Sequence, residues 1–336
     1  MKKLLFLLLT ISSAFSKVNE SLPNMPFVFQ HEELTVDQFE AICLHYKRSR
    51  DWQTLFNYLS HILEITRNVE LQGRALIYLG CLYQDGLGVA TDLNEAQQLF
   101  RSGLAITQMP AQFKVIFQYR LAQVLFKMSR PIEAFEAWQE TIQLLQSIVE
   151  NEQADEVTQI KSKFLLAQMY VSGKGCRPNT QIARELYEAC LNQQVSIKIQ
   201  ARSLYLLAKM LFEQSNSTEQ EIQYAVQLFE RVITNQHSSL SNRVWAHFYL
   251  GRMYRGEKGV PSDTVRAEQM FNEVLRLSQP TEEINSVTRF YIVQLLINEK
   301  RDSDRVRQLL NELLENNHAP DFIKDQVKCM KIMIDS

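Results

Sequence analysis

Three stretches of the chain carry residue types that could do chemistry. "SGKGC" at residues 172–176 sets a lysine between two glycines, the makings of a phosphate-cradling loop. Such a loop needs Gly-x-x-x-x-Gly-Lys-Ser/Thr after a strand, so that backbone N–H groups and the lysine converge on phosphate. The spacing fails here and no strand precedes it, so the stretch reads as a helix-hairpin turn. "HEEL" at His31 opens like a zinc-protease helix, but Thr35 stands where a second histidine is required. The six histidines are dispersed and none pairs with a cysteine at ligand spacing, so neither a metal nor a cofactor is expected. Carboxylates gather in "TEQE" (218–221) and "TEEIN" (281–285), which read as helix-start segments rather than a pocket that would tune a general acid. No Gly-x-Ser-x-Gly nucleophile elbow occurs. Every motif test for catalysis fails, and no catalytic residue is assigned.

What remains is a constellation suited to binding. A small residue inside an apolar helix recurs as Gly80, Ala122, Ala167, Ala208 and Gly251, at intervals of 42, 45, 41 and 43. Three places before it stand Ile77, Tyr119, Phe164, Tyr205 and Phe248, with Phe290 extending the row. One place after it come Gln123, Gln168, Lys209, Arg252 and Gln294. Aligned aromatics could receive the apolar anchors of a peptide, and the polar row could hold its backbone or acidic groups. The competing account is that the aromatics pack between neighbouring helices, as stripes at repeat spacing generally do. The polar row is expected to face solvent, because buried unpaired charge is expensive.

The elements that position these rows follow from the same periodicity. The flanks of the small residue repeat as "ALIYLGCLY", "KFLLAQMY", "SLYLLAKML" and "AHFYLGRMY". A second helix follows each, marked by a small residue and an aromatic four places on: Ala96/Phe100, Ala134/Trp138, Ala183/Tyr187, Ala225/Phe229 and Ala267/Phe271. That spacing puts both on one helical face. Each unit is a helix hairpin that cannot bury its apolar stripe alone, so neighbours must stack. Between the helices, "YQDGLGVATD" at Tyr83 returns as "YVSGKGCRPN" at Tyr170 and "YRGEKGVPSD" at Tyr254. The glycines should end the first helix, and Asp92, Asn179 and Asp263 should cap the second. Glu95 is placed to close a capping box with Asp92.

These residues resemble the Sel-like repeat of the tetratricopeptide superfamily, whose hairpins have a longer internal turn. Gly80 to Ala96, Ala167 to Ala183 and Gly251 to Ala267 are each 16 apart, whereas Ala122 to Ala134 is 12, a tighter tetratricopeptide-type turn. The period near 42 exceeds the family's usual mid-thirties. The resemblance implies an all-α, right-handed α-α superhelix (solenoid) of about five to seven hairpins. The clearest repeats span about 73–106, 115–148, 161–193, 201–235 and 244–277, with weaker units at 36–66 and 286–316. It also implies a protein or peptide partner, met through the concave face by Lys209, Arg252, Gln123, Gln168, Gln294, Tyr119, Phe164, Tyr205 and Phe248.

Composition sets the remaining bounds. The 336 residues are 46% apolar and 22% charged, with ten glycines and eight prolines, a helix-favouring mixture that can bury a large core. "MKKLLFLLLTISSAFS" has a basic start, a short apolar run and a small-residue end, matching a signal peptide over 1–16 and too short for a membrane span. Residues 17–34 read as an extended leader, and 35–336 as the repeat array. Removing the first sixteen residues takes two lysines from 36 basic residues, leaving 34 against 38 acidic ones. That net charge of −4 gives no nucleic-acid-binding stripe. Five scattered cysteines argue against a disulfide framework. The expectation is an exported, non-enzymatic interaction scaffold, bacterial periplasmic or host-directed. The triplets at Asn19 and Asn216 leave an endoplasmic-reticulum lumen reading open. The alternatives are a carbohydrate- or cell-wall-binding protein using the aromatic row, and an atypical hydrolase.

Overall fold

The computed structural model describes residues 34–191, 197–277, 282–317 and 319–335. The signal-peptide segment, residues 17–33 of the leader, the start of "HEEL" and the Asn19 triplet lie outside them. Among the described residues there are fifteen α-helices, one 3-10 turn and no strand. The fold is an all-α helical-repeat solenoid. The helices gather into two compact units.

The first unit takes residues up to Ala154 together with Ser172–Pro178. Its helices are α1 (Val36–Ser49), α2 (Trp52–Ile65), α3 (Val69–Asp85), α4 (Leu93–Ala105), α5 (Ala111–Lys127) and α6 (Pro131–Glu150). Polar side chains start most of them. At α1, the Gln38 N–H donates to Thr35 Oγ1 and the Thr35 N–H donates back to Gln38 Oε1, a complete capping box. Asp51, Asn68 and Asp92 accept first-turn N–H groups at α2, α3 and α4. Pro131 opens α6, where its missing N–H has no bond to lose. The helices pack as antiparallel neighbours, α3 on α4 and α5 on α6. At Gly80 an added Cβ would fall on the ring of Phe100, itself fully buried. The small residue is therefore the seat of the second helix's aromatic.

The second unit takes Asp155–Val171 and the residues from Asn179 onward. It contains α7 (Glu156–Ser172, all but its last residue), α8 (Thr180–Leu191), α9 (Ile197–Glu213), α10 (Glu219–Thr234) and α11 (Leu240–Tyr254). The 3-10 turn Glu257–Gly259 leads to α12 (Thr264–Arg276), α13 (Glu282–Asn298), α14 (Ser303–Glu315) and α15 (Asp321–Asp335). One continuous core runs from Ala167 and Tyr187 through Leu207, Phe229, Met253 and Phe271 to Val293, Leu313 and Val327. Gly251 repeats the seat: a Cβ there would lie 2.5 Å from Phe271 Cε1.

The recurring turn has a backbone cause. The N–H groups of Asp92, Asn179 and Asp263 donate to the carbonyls of Tyr83, Tyr170 and Tyr254, at 3.0, 3.0 and 2.7 Å. That bond ties the start of each second helix to the end of its first helix. Gly86 and Gly88, with φ of 66° and 73°, bend the chain between them. Gly88 also lets the turn lie on the Trp52 carbonyl at the start of α2, and Gly175 lets its turn lie on the main chain of Trp138 in α6. One expectation is corrected here. Glu95 does not close a capping box, because the Asp92 N–H it would need is already given to Tyr83. In the Tyr254 copy the left-handed positions fall at Gly256 and Lys258 (φ 97° and 60°), one residue earlier than in the other two copies.

Candidate functional site

In the second unit α7, α9, α11 and α13 lie side by side, and side chains crossing between them define their open face. Arg202 of α9 lies 5.4 Å from the Phe164 ring of α7. Tyr249 of α11 donates to Glu213 of α9 at 3.2 Å. Arg255, the residue that caps the end of α11, donates to Gln294 of α13 at 2.6 Å and lies 4.2 Å from the Tyr291 ring.

The polar row expected from the sequence stands on this face. Gln168, Lys209, Arg252 and Gln294 are all half-buried. Lys209 reaches Glu213 at 3.7 Å, a loose i,i+4 pair with both groups open to water. Arg252 is held more firmly. It pairs with Glu257 at 2.8 Å and its guanidinium lies 4.9 Å from the Phe212 ring. Changing Arg252 would disturb packing as well as charge.

The aromatic row lies one step round the helix, on its packed side. Phe248 is 6% exposed and is enclosed by Trp245, Phe271 and Tyr291. Phe290 is 5% exposed. Phe164 and Tyr205 are half-buried against Tyr187 and Phe229. A sugar stacks on open ring faces, and these rings offer little. In the first unit, Tyr119 accepts from Lys174 Nζ at 3.2 Å and Gln123 accepts from Arg120 at 3.1 Å.

A third row was missed. Six places before the small residue stand Lys161, Arg202 and Trp245, all exposed. Trp245 is 36% exposed and rests edge-on against Phe248. The signal was present in the helical period: 202, 206 and 209, like 245, 249 and 252, fall at spacings of four and three on one face. Following that period outward from Lys209 and Arg252 would have found it.

A concave site of about 680 Å³ lies where α10 meets the turn before α12, lined in part by Gln227, Glu230, Tyr254, Asp263 and Arg266. Its charged groups already engage one another. The Tyr254 hydroxyl donates to Glu230 at 3.0 Å, and Arg266 reaches Asp263 at 3.4 Å. Among the described residues no group of three His, Cys, Asp or Glu side chains is placed to hold a metal, and no helix is long and apolar enough to cross a membrane.

Residues 73–104, 160–189, 201–235 and 246–273 match the Sel1 repeat family. The chain is a Sel1-repeat protein. A Sel1 repeat protein from Oxalobacter formigenes is similar in structure, with a TM-score of 0.51 and 16% identity over 83% of this chain and 98% of that one. So is a protective antigen present in uropathogenic Escherichia coli strains and displaying an SLR fold, with a TM-score of 0.54 and 16% identity. That match covers 88% of this chain, which spans 56% of the length of the antigen. At this identity the likeness concerns the fold. No curated protein matches the chain. Sel1 repeats are a protein-interaction scaffold type.

Proposed function

We propose that this Sel1-repeat protein is an exported, non-enzymatic adaptor that meets its protein partner through the open face of α7, α9, α11 and α13. The observation that carries the reading is the lengthwise alignment of Lys161, Arg202 and Trp245 beside Gln168, Lys209 and Arg252. One aromatic anchor among cations that mostly lack strong partners suits an extended acidic segment carrying a bulky apolar side chain. Export rests on the signal-peptide pattern of residues 1–16, and a periplasmic or host-directed role on that pattern together with the bacterial source of the similar structures. The carbohydrate reading is not favoured, because the aromatic row is packed.

The test is crosslinking capture by the mature protein in its native compartment, followed by calorimetric titration of the captured protein into purified chain. Arg202→Glu/Lys209→Glu should weaken that binding at least tenfold, and Trp245→Ala should weaken it further, with the far-UV spectrum unchanged. Equal affinity of the variants would remove this face from the proposal. Failure to obtain any stoichiometric protein complex would end the adaptor reading.

A further inference from the structure

The last helix presents a second surface. On α15 one stripe faces the fold: Ile323 and Val327 are fully buried, and Met330 and Ile334 pack against the core. Beside it runs Phe322, Gln326, Cys329 and Met333, at spacings of four, three and four. That is the spacing by which one helix seats against another. Yet Phe322 is 61% exposed, Met333 is 69% exposed, and Ile332 on the flank is 71% exposed. Cys329 is also exposed. Large apolar side chains seldom stand open together on a soluble surface without a covering partner.

The pattern of the stripe identifies the occupant. When two copies of α15 run antiparallel about a two-fold axis between residues 327 and 328, Phe322 falls opposite Met333 of the other copy. Gln326 then falls opposite Cys329. Each end is an aromatic–thioether contact, a favourable pairing. Along the outer flank the order is Asp321, Asp325, Lys328, acid first and base after. In this register Asp325 falls within two positions of Lys328 of the other copy, giving two unlike pairs about the axis, whereas parallel pairing would oppose Asp325 to Asp325 and Lys328 to Lys328. Asp325 and Lys328 already form an open pair at 3.1 Å, 74% and 63% exposed, so both are free to re-pair across an interface.

We propose that the outer face of α15 is a self-complementary docking surface for a second copy of this chain. One helix face covers well under the roughly 800 Å² per partner of a standard stable interface. The dimer is therefore weak and concentration-dependent. The two Cys329 residues sit three positions out of register, with their Cα atoms farther apart than the roughly 7 Å limit of a disulfide, so the pairing is non-covalent.

Sedimentation equilibrium of the full chain in reductant, over a wide concentration range, tests the proposal. The wild-type mass should rise toward twice the monomer mass. Met333→Glu, at a position 69% exposed, should weaken association at least tenfold with the far-UV spectrum unchanged. Asp321→Lys/Asp325→Lys alone and Asp321→Glu/Lys328→Glu alone should each stay monomeric, while an equimolar mixture should associate. A wild-type chain that remains monomeric to its solubility limit would show that the face serves some other occupant and overturn the proposal. So would a Met333→Glu chain that associates as the wild type does, or a mixture no better associated than its components.

Discussion

Gly251→Ala sets two effects of opposite sign against each other. In the last turn of α11, alanine is favoured over glycine by up to about 1 kcal/mol, because glycine loses more backbone entropy on folding. Against this, the new Cβ would lie 2.5, 2.7 and 2.9 Å from three atoms of the Phe271 ring. The ring is fully buried and borders Phe248 and Tyr291, so it has no empty space to retreat into. Overpacking of this kind costs about 1–3 kcal/mol. The clash therefore wins, with a net loss of about 1 kcal/mol for alanine and more for Gly251→Val, whose branched side chain adds volume to the same ring. Urea unfolding followed by far-UV circular dichroism is the assay, with the midpoint falling and the slope unchanged. Ala208 is a natural control, since a hairpin built around alanine from the start keeps it fully buried in the same core. If Gly251→Ala instead stabilises the protein by the full propensity gain, the ring is yielding freely, and the small residue is not what sets the approach of α11 and α12.

Three further outcomes follow from the turns, caps and thiols. Gly175→Ala should destabilise more than Gly256→Ala in the same unfolding assay: both have positive φ, but a Cβ on Gly175 meets the Trp138 main chain at 2.5 Å, while one on Gly256 meets only Ser262 at 3.5 Å. Thr218→Ala should lose about 1 kcal/mol by removing the capping box of α10, read as a lower urea midpoint at neutral pH. The Thr218 N–H holds the Glu221 carboxyl below the usual carboxylate range. That part of the stability is present above the ordinary carboxylate pKa and is lost as pH falls through the lowered folded value; alanine keeps the N–H and loses only the hydroxyl that donates to the same carboxyl at 3.0 Å, so only that smaller share of the gap between wild type and Thr218→Ala should close below about pH 4. Burial pushes the Cys43 thiol up to about 12 and the Cys190 thiol up to about 11. At pH 8 an alkylating reagent should label exposed Cys329 well before either, by peptide mass mapping.

Sequence made the hairpins legible because their cause is local. A small residue, an aromatic 16 to 21 places on and a cap at the next helix start all lie within one repeat, so periodicity exposes them. The Tyr83–Asp92 backbone bond left no trace in residue type, since any residue offers a carbonyl and an N–H. This is why Glu95 was assigned a capping role that it does not fill. The polar row was legible for the same local reason. The aromatic row beside it was placed on the right helices but could not be assigned to the open or the packed side. Phe248 and Trp245 differ by less than one helical turn, and only the neighbouring Phe271 and Tyr291 decide which of them is covered. A row of residues facing outward is set by what packs beside the helix, which is information from another repeat.

Neighbouring repeats also supply one another's helix ends, and this bears on how the open face is held. Lys127, at the end of α5, reaches the Gln84 carbonyl at 3.4 Å and Asp85 at 3.1 Å, at the end of α3. In the other unit Lys258 reaches the Gln214 carbonyl at 3.1 Å, just past α9. The separations of 43 and 44 residues are within one residue of the local repeat intervals of 42 and 43. A cation at a helix C-terminus meets both unpaired carbonyls and the negative end of the helix dipole. The first helices α3 and α9 are thus each closed by the repeat that follows. Lys258 owes its place to the left-handed backbone of the shifted turn, so the irregular third copy performs a task that a glycine at that position could not. The same segment carries Glu257, which binds both Arg252 and Arg255. The turn between α11 and α12 therefore fixes the C-terminal end of α9 and, at once, the arginines that project onto the open face. A partner seated there would meet guanidinium groups already oriented by the fold, and binding would forfeit less side-chain entropy than it would on free arginines.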